Sequence, residues 1–212
     1  GTMNVTDGSD TYNTAVGFAA GVAVTTGVNN TLIGGQAGDA NTTGASNTAV
    51  GVDSLGANTT TSENTAVGYR AGFTNTTGAE LVAIGERALF TNTTGTYNTA
   101  LGRVAMFLNT TGSNNTAVGN NALRSNTTAA NNTAVGYRAS YSNTTGTNNT
   151  CIGIDSGYHI TTGDQNTIIG GYNGNGGGLD IRTSDNNVVL SDGSGNPRIH
   201  INSSGVIDVG VL

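Results

Sequence analysis

The pentapeptide Asn-Thr-Ala-Val-Gly, or a near variant, starts at residues 13, 30, 47, 64, 81, 98, 115, 132, 149 and 166. The starts keep one constant 17-residue step, with no insertion or deletion. A globular domain lets its loops drift in length. A chain that never slips must place each unit directly on its predecessor, so the period predicts a solenoid in which neighbouring coils share one core. Composition matters here only in combination with the period. With 34 Gly, 9% charged and 5% aromatic residues, a chain lacking periodicity would bury too little to fold. Small apolar residues recurring at fixed positions can instead line a narrow common interior.

Numbered from its Asn, the unit reads N-T-A-V-G-Y-R-A-G-x-x-N-T-T-G-x-x. Position four is Val16, Ile33, Val50, Val67, Ile84, Leu101, Val118, Val135, Ile152 and Ile169. It is never polar, so it is expected to face the core. Position three is mostly Ala and always apolar, position eight is Ala or Ser through Ser156, and position ten is often aromatic (Phe73, Phe90, Phe107, Tyr141, Tyr158). Thr, Val and Ile form strands, and the following Gly suits a bend or a close backbone approach. The Asn-Thr-Thr segment, closed in most units by Gly, reads as a second extended piece. Each unit is therefore expected to hold two short strands with Gly-assisted corners. Asn, Thr and Gly fill too much of it for a helix.

In-register stacking at the strand spacing of about 4.8 Å aligns Asn13, Asn30, Asn47 and Asn64 as an amide ladder, interrupted at Leu81. Ten coils make a rod of roughly 50 Å. So small a coil, with Val or Ile as its expected core, leaves the Ala column uncovered. Several chains along a common axis would cover it, and a homotrimer, intertwined or side by side, is expected. The domains read as a lead over 1–12 that begins with a vector-derived Gly1-Thr2-Met3, an all-β parallel β-solenoid of ten 17-residue coils over 13–182, and a short C-terminal β-meander cap over 183–212.

Seven Arg oppose 13 acidic residues for a net charge of -6, with no basic run. That argues against nucleic acid as a partner. No apolar stretch approaches the roughly 18–20 residues of a membrane span, so no membrane insertion is expected. Cys151, the only cysteine, holds a position elsewhere apolar and reads as a packed thiol.

The Asn-Thr-Ala-Val-Gly unit, with Tyr-Arg-Ala at 69–71 and 137–139, is similar to the NSVAIG-type repeats in the heads of trimeric autotransporter adhesins. It resembles more closely the N-T-A-[VI]-G-Y-x-A-[LG] arrays of phage tail fibres and fibre-like bacterial adhesins. The likeness covers residues 13–170, although the period is longer than that usual in the autotransporter heads. Residues 186–212 resemble the β-rich piece that precedes a self-cleaving intramolecular chaperone in such fibres. The resemblance implies a trimeric parallel β-solenoid fibre, extracellular on a virion or a bacterial surface. Its partner would be a cell-surface glycan or another envelope receptor.

No constellation of ionisable groups suggests catalysis, and no cofactor is expected. Glu63, Glu80 and Glu86 fall near successive coils but read as solvated carboxylates. The Gly-rich run 174–180 is a single copy of what a calcium-binding repeat would need many times. The Asn-Thr-Thr sequons read as ladder residues rather than glycosylation sites. His200 alternates with Ile199 and Ile201. Three copies at a trimer axis would make it a weak metal candidate, and a solvent-facing His200 with isoleucines in the core is the expected arrangement. The unit is lost after Gly170, and irregular loops on a rigid scaffold are where binding concentrates. Tyr158, His159 and Tyr172, with Asp180 and Arg182, are the candidate ligand-binding residues. Two other functions fit less well. An ice-binding solenoid would use Thr columns, but adjacent threonines in a strand point to opposite faces. A polysaccharide-degrading enzyme needs a carboxylate pair in a groove.

Overall fold

The computed structural model describes residues 11–209; the first ten residues, including most of the N-terminal lead, lie outside it. The described chain is all-β, without a helix. Ten three-residue strands, from β1 (Thr14–Val16) to β10 (Thr167–Ile169), pair parallel and in register, Thr on Thr and Ala on Ala. They form the body of one 13-stranded sheet. Residues 175–180 then form a small hairpin of β11 (Asn175–Gly176) and β12 (Leu179–Asp180). The stack resumes with β13 (Val188–Ser191) parallel on β10. It closes with antiparallel β14 (Pro197–Ile201) and β15 (Ile207–Val209). Asn187 stands 21 residues after Asn166, yet its N–H donates to the Asn166 Oδ1 as Asn166 N–H does to Asn149 and Asn149 N–H to Asn132. The period therefore does not end after Gly170: it absorbs the hairpin and supplies an eleventh coil.

Each coil has one strand, not two. Asn-Thr-Thr is a bend. It still stacks through backbone bonds, such as Thr93 N–H to the Thr110 carbonyl at 2.9 Å. The interior also differs from the expectation. Position three is buried, with Ala49, Ala66, Ala100, Ala117 and Ala134 all at 0% exposure, whereas position four faces outward, with Ile33, Leu101, Ile152 and Ile169 at 38–46%. The reason is space. A coil this short has room beneath its strand only for a methyl group plus the side chain at position nine, and the two positions trade volume. Above Ala49, Ala83 and Ala117 the ninth residue is Leu55, Leu89 or Leu123. Beneath Leu32 and Cys151 it is Gly38 or Gly157, where an added Cβ would come within 2.7 Å of Leu32 Cδ2 or 2.6 Å of Cys151 Sγ. The Ala column is thus covered within one chain, and it gives no reason for several chains to associate.

The remaining interior is polar and bonded throughout except at the Asn41 and Asn143 Oδ1 atoms. Asn115 shows the pattern of the position-one ladder. Its N–H donates to Asn98 Oδ1 at 3.0 Å, its Nδ2 to the Ala129 carbonyl at 2.9 Å, and its Oδ1 accepts from Asn132 N–H at 3.0 Å. A second ladder uses the Asn of Asn-Thr-Thr, from Asn75 through Asn92, Asn109 and Asn126 to Asn143, linked Nδ2 to Oδ1 at 2.7–3.2 Å. These asparagines are buried with their amides engaged, so the sequon nitrogens are inaccessible in the fold. Tight curvature comes from left-handed residues at positions seven, nine and seventeen, such as Arg138 (φ 54°), Leu123 (φ 48°) and Asn131 (φ 61°).

Candidate functional site

The same register that builds the core stacks side chains on the outer edge beyond the position-five glycines. Phe73 and Phe90 lie 5.5 Å apart between centroids, Phe90 and Phe107 5.1 Å, and Tyr141 and Tyr158 4.9 Å, all stacked. Arg124 takes the place between Phe107 and Tyr141, 5.5 and 5.6 Å from their centroids. Stacking aromatics along the column turns their faces toward one another and only their edges to solvent. Tyr158 is the last ring, because the hairpin displaces the next coil.

A cavity of about 240 Å³ opens at this upper end, lined by Arg138, Asp155, Tyr158, His159 and Asn173. Arg138 and Asp155 occupy position seven in successive coils. The Arg138 guanidinium donates from Nε to Asp155 Oδ1 at 2.7 Å and from Nη2 to Oδ2 at 2.8 Å, a two-pronged pair that raises the Arg138 pKa. The same guanidinium lies over Tyr137 at 4.8 Å and Tyr158 at 5.0 Å. His159, exposed, stands edge-on to Tyr158 with centroids 4.8 Å apart. The walls offer an aromatic ring, an imidazole, a side-chain amide and a charge-balanced ion pair. That set suits hydrogen bonding to a polyhydroxylated ligand.

Of the five candidates from the sequence, only Tyr158 and His159 line this cavity. Tyr172 is a core side chain at 0% exposure in a cluster with Cys151, Ile160, Ile168, Ile181 and Val189. Its hydroxyl donates to the Leu179 carbonyl at 2.7 Å. Burial first, then the nearby Asp180 charge, pushes its pKa up. It anchors the hairpin and has no face left for a ligand. Asp180 and Arg182 are exposed and bonded to each other, Nη2 to Oδ2 at 2.7 Å, which lowers the Asp180 pKa. They belong to the hairpin and not to the cavity lining. Arg138, Asp155 and Asn173 escaped the sequence reading. The first two were legible in principle, since they share one position of the unit in successive copies. Asn173 was not, because the insertion carries it there.

His200 faces neither solvent nor an open axis. It is 7% exposed, with Nε2 3.0 Å from Asn187 Oδ1 and Nδ1 3.7 Å from Asp208 Oδ2. It caps the position-one ladder through Nε2, while Nδ1 faces the Asp208 carboxylate beyond hydrogen-bond distance. Among the described residues no group of three or more His, Cys, Asp or Glu could hold a metal ion. The three glutamates do not converge either: Glu63 and Glu80 are exposed at position seventeen, while Glu86 lies on the aromatic edge bonded to Arg103 at 3.0 Å. The Gly-rich run forms the hairpin turn. No helix among the described residues is long and apolar enough to cross a membrane. Comparison with protein-family models, with curated proteins and with solved structures gives no match.

Proposed function

We propose that this chain is the shaft segment of a trimeric, tail-fibre-like adhesive fibre outside the cell. In this reading the solenoid supplies reach, and the outer edge with its upper cavity supplies attachment to an envelope glycan. No catalytic step, cofactor or metal enters. The observation that carries the proposal is the position-four column. A row of Val, Ile and Leu, never polar over eleven coils to Leu190, stands outward beside a row of Thr. Contiguous exposed apolar surface of this length marks an interaction face. At roughly 50 Å long and two residue columns wide, it is of the order of the ~800 Å² per partner that stable interfaces bury. Parallel copies of the chain present the same column to one another at the same spacing, so like coils meet like.

Light scattering on the purified chain tests the assembly. A mass near three times 21.1 kDa is expected. Val118→Asp together with Val135→Asp, which leaves the Ala core untouched, is expected to dissociate it. A monomer at micromolar concentration would remove the proposal's support. A glycan array tests attachment.

One observation favours a second reading. Thr at position two and an aliphatic residue at position four share one flat sheet face, which is the kind of surface an ice-binding solenoid presents. The Asn-Thr-Thr threonines play no part in it. Thermal hysteresis shown by the unsubstituted chain as a monomer, and lost in the double variant, would favour ice binding over assembly.

A further inference from the structure

Five of the seven arginines are tied to a carboxylate: Arg70 to Asp53, Arg103 to Glu86, Arg138 to Asp155, Arg182 to Asp180 and Arg198 to Asp192. The two without a carboxylate among the described residues, Arg87 and Arg124, both lie on the aromatic edge. They are held by rings instead. Arg124 is sandwiched between Phe107 and Tyr141, and Arg87 lies 5.8 Å from the centroid of Tyr69. The rings cover both faces of the Arg124 guanidinium and one face of Arg87 and leave their in-plane N–H donors uncovered. Neither side chain donates to another protein group among the described residues. Of the acids on this edge, Asp53, Glu86 and Asp155 are each already engaged, and Asp39 stands beside Asp53 at the lower end, three coils below Arg87. The edge is therefore locally cationic on a chain of net charge -6.

We propose that this edge binds an extended acidic polysaccharide lying along the rod, with Arg87 and Arg124 as its two carboxylate contacts. The residues stand two coils apart, about 10 Å along the axis. That spacing suits a polymer carrying one carboxylate per disaccharide. Arg138 and Tyr158 continue the strip to the upper cavity, where the chain's hydroxyls would meet Asp155, His159 and Asn173. A nucleic acid fits less well. Its charge is denser than two free guanidiniums can match, and the remainder would meet the acidic body of the rod. The inference rests on the glycan-attachment reading and names the glycan's charge class.

The test measures binding of hyaluronan oligosaccharides, neutral dextran oligosaccharides and a single-stranded DNA oligonucleotide to the purified protein by calorimetry. Arg87→Gln, Arg124→Gln and the control Arg182→Gln are compared, with melting curves confirming the fold. Hyaluronan should bind, weaken with added salt, and lose about tenfold or more in affinity for each of the first two variants, while Arg182→Gln leaves it unchanged. Arg124→Lys should recover only part of the loss, since an ammonium lacks the planar donors. Hyaluronan binding unaffected by Arg87→Gln and Arg124→Gln overturns the inference, as does DNA binding as tightly. Dextran binding without hyaluronan binding overturns it while leaving glycan attachment intact. Binding of neither oligosaccharide, together with a blank glycan array, overturns both.

Discussion

Replacing Gly119 by Ala isolates the constraint that sets the coil spacing. Gly119 adopts φ 136°, a conformation that costs an L-residue about 1–3 kcal/mol. Its added Cβ would also sit 2.4 Å from the Gly136 carbonyl oxygen and 2.6 Å from the carbonyl carbon of the next coil. Backbone cannot swing aside as a side-chain end can, so the clash opens the stack locally. Overpacking of this kind costs a further 1–3 kcal/mol or so. The expected total is about 4 kcal/mol, concentrated at one junction, because a solenoid's stability is a sum over neighbouring coils. Urea denaturation followed by circular dichroism should show an earlier transition, and hydrogen exchange should place the loss in the coils flanking residue 119. Gly112→Ala serves as the comparison. Gly112 has no left-handed φ, although its Cβ would lie 2.2 Å from the Ala129 carbonyl oxygen, and Ala129 and Thr61 already occupy equivalent positions in the stack. It should cost about half as much, the conformational share being absent. A Gly119→Ala loss below about 1 kcal/mol, or one no larger than that of Gly112→Ala, would refute this reasoning.

Three other outcomes follow from the same register. Asn115→Ala removes the acceptor of Asn132 N–H, whereas the Ala129 carbonyl keeps its bond from Asn126 Nδ2, and the change should lower stability by about 2 kcal/mol in the same urea titration, given one orphaned buried group and a small void. Asp192 accepts from the Asn196 backbone and side chain and from Arg198, which hold its pKa down at about 2. Because the folded value lies below the ordinary 3.8, its contribution is complete above about pH 5 and lost as pH falls through 3.8 toward about 2. Melts across that range should show a decline that Asp192→Asn flattens. Burial pushes the Cys151 thiol up to about 11, so a thiol reagent at pH 8 should leave the native protein unlabelled and react on addition of denaturant.

Much of the fold is written in the spacing of residues. Asn recurring at position one of almost every unit predicts the amide ladder, and the structure bonds it as drawn. Leu81 interrupts it as its sequence position requires, leaving Asn98 N–H without the ladder acceptor its counterparts have. The glycines of position five announce a close backbone approach, and the carbonyl of the next coil is what they approach. The C-terminal meander was visible from its turn residues at 192–195 and 203–205. The candidate site was only half visible. Tyr158 and His159 could be chosen as aromatic and polar groups near the break in the period. Tyr172 resembled them in type but not in fate, since the four-residue lengthening of its coil folds it inward to plug the end of the core.

What the sequence determined by itself is the axis: parallel strands, in register, stacked at a constant step, because only that arrangement repeats at so short a period without slip. What it could not determine is which side of each strand is inside. Thr-Ala-Val offers a methyl to one face and a larger aliphatic group to the other, and hydrophobicity alone points the larger one inward. The tertiary structure decides otherwise, because left-handed residues at positions seven, nine and seventeen close the coil so tightly that its interior takes mostly Ala at position three, and a larger Leu32 or Cys151 only beside Gly. The Val and Ile column is thereby turned out along the whole rod.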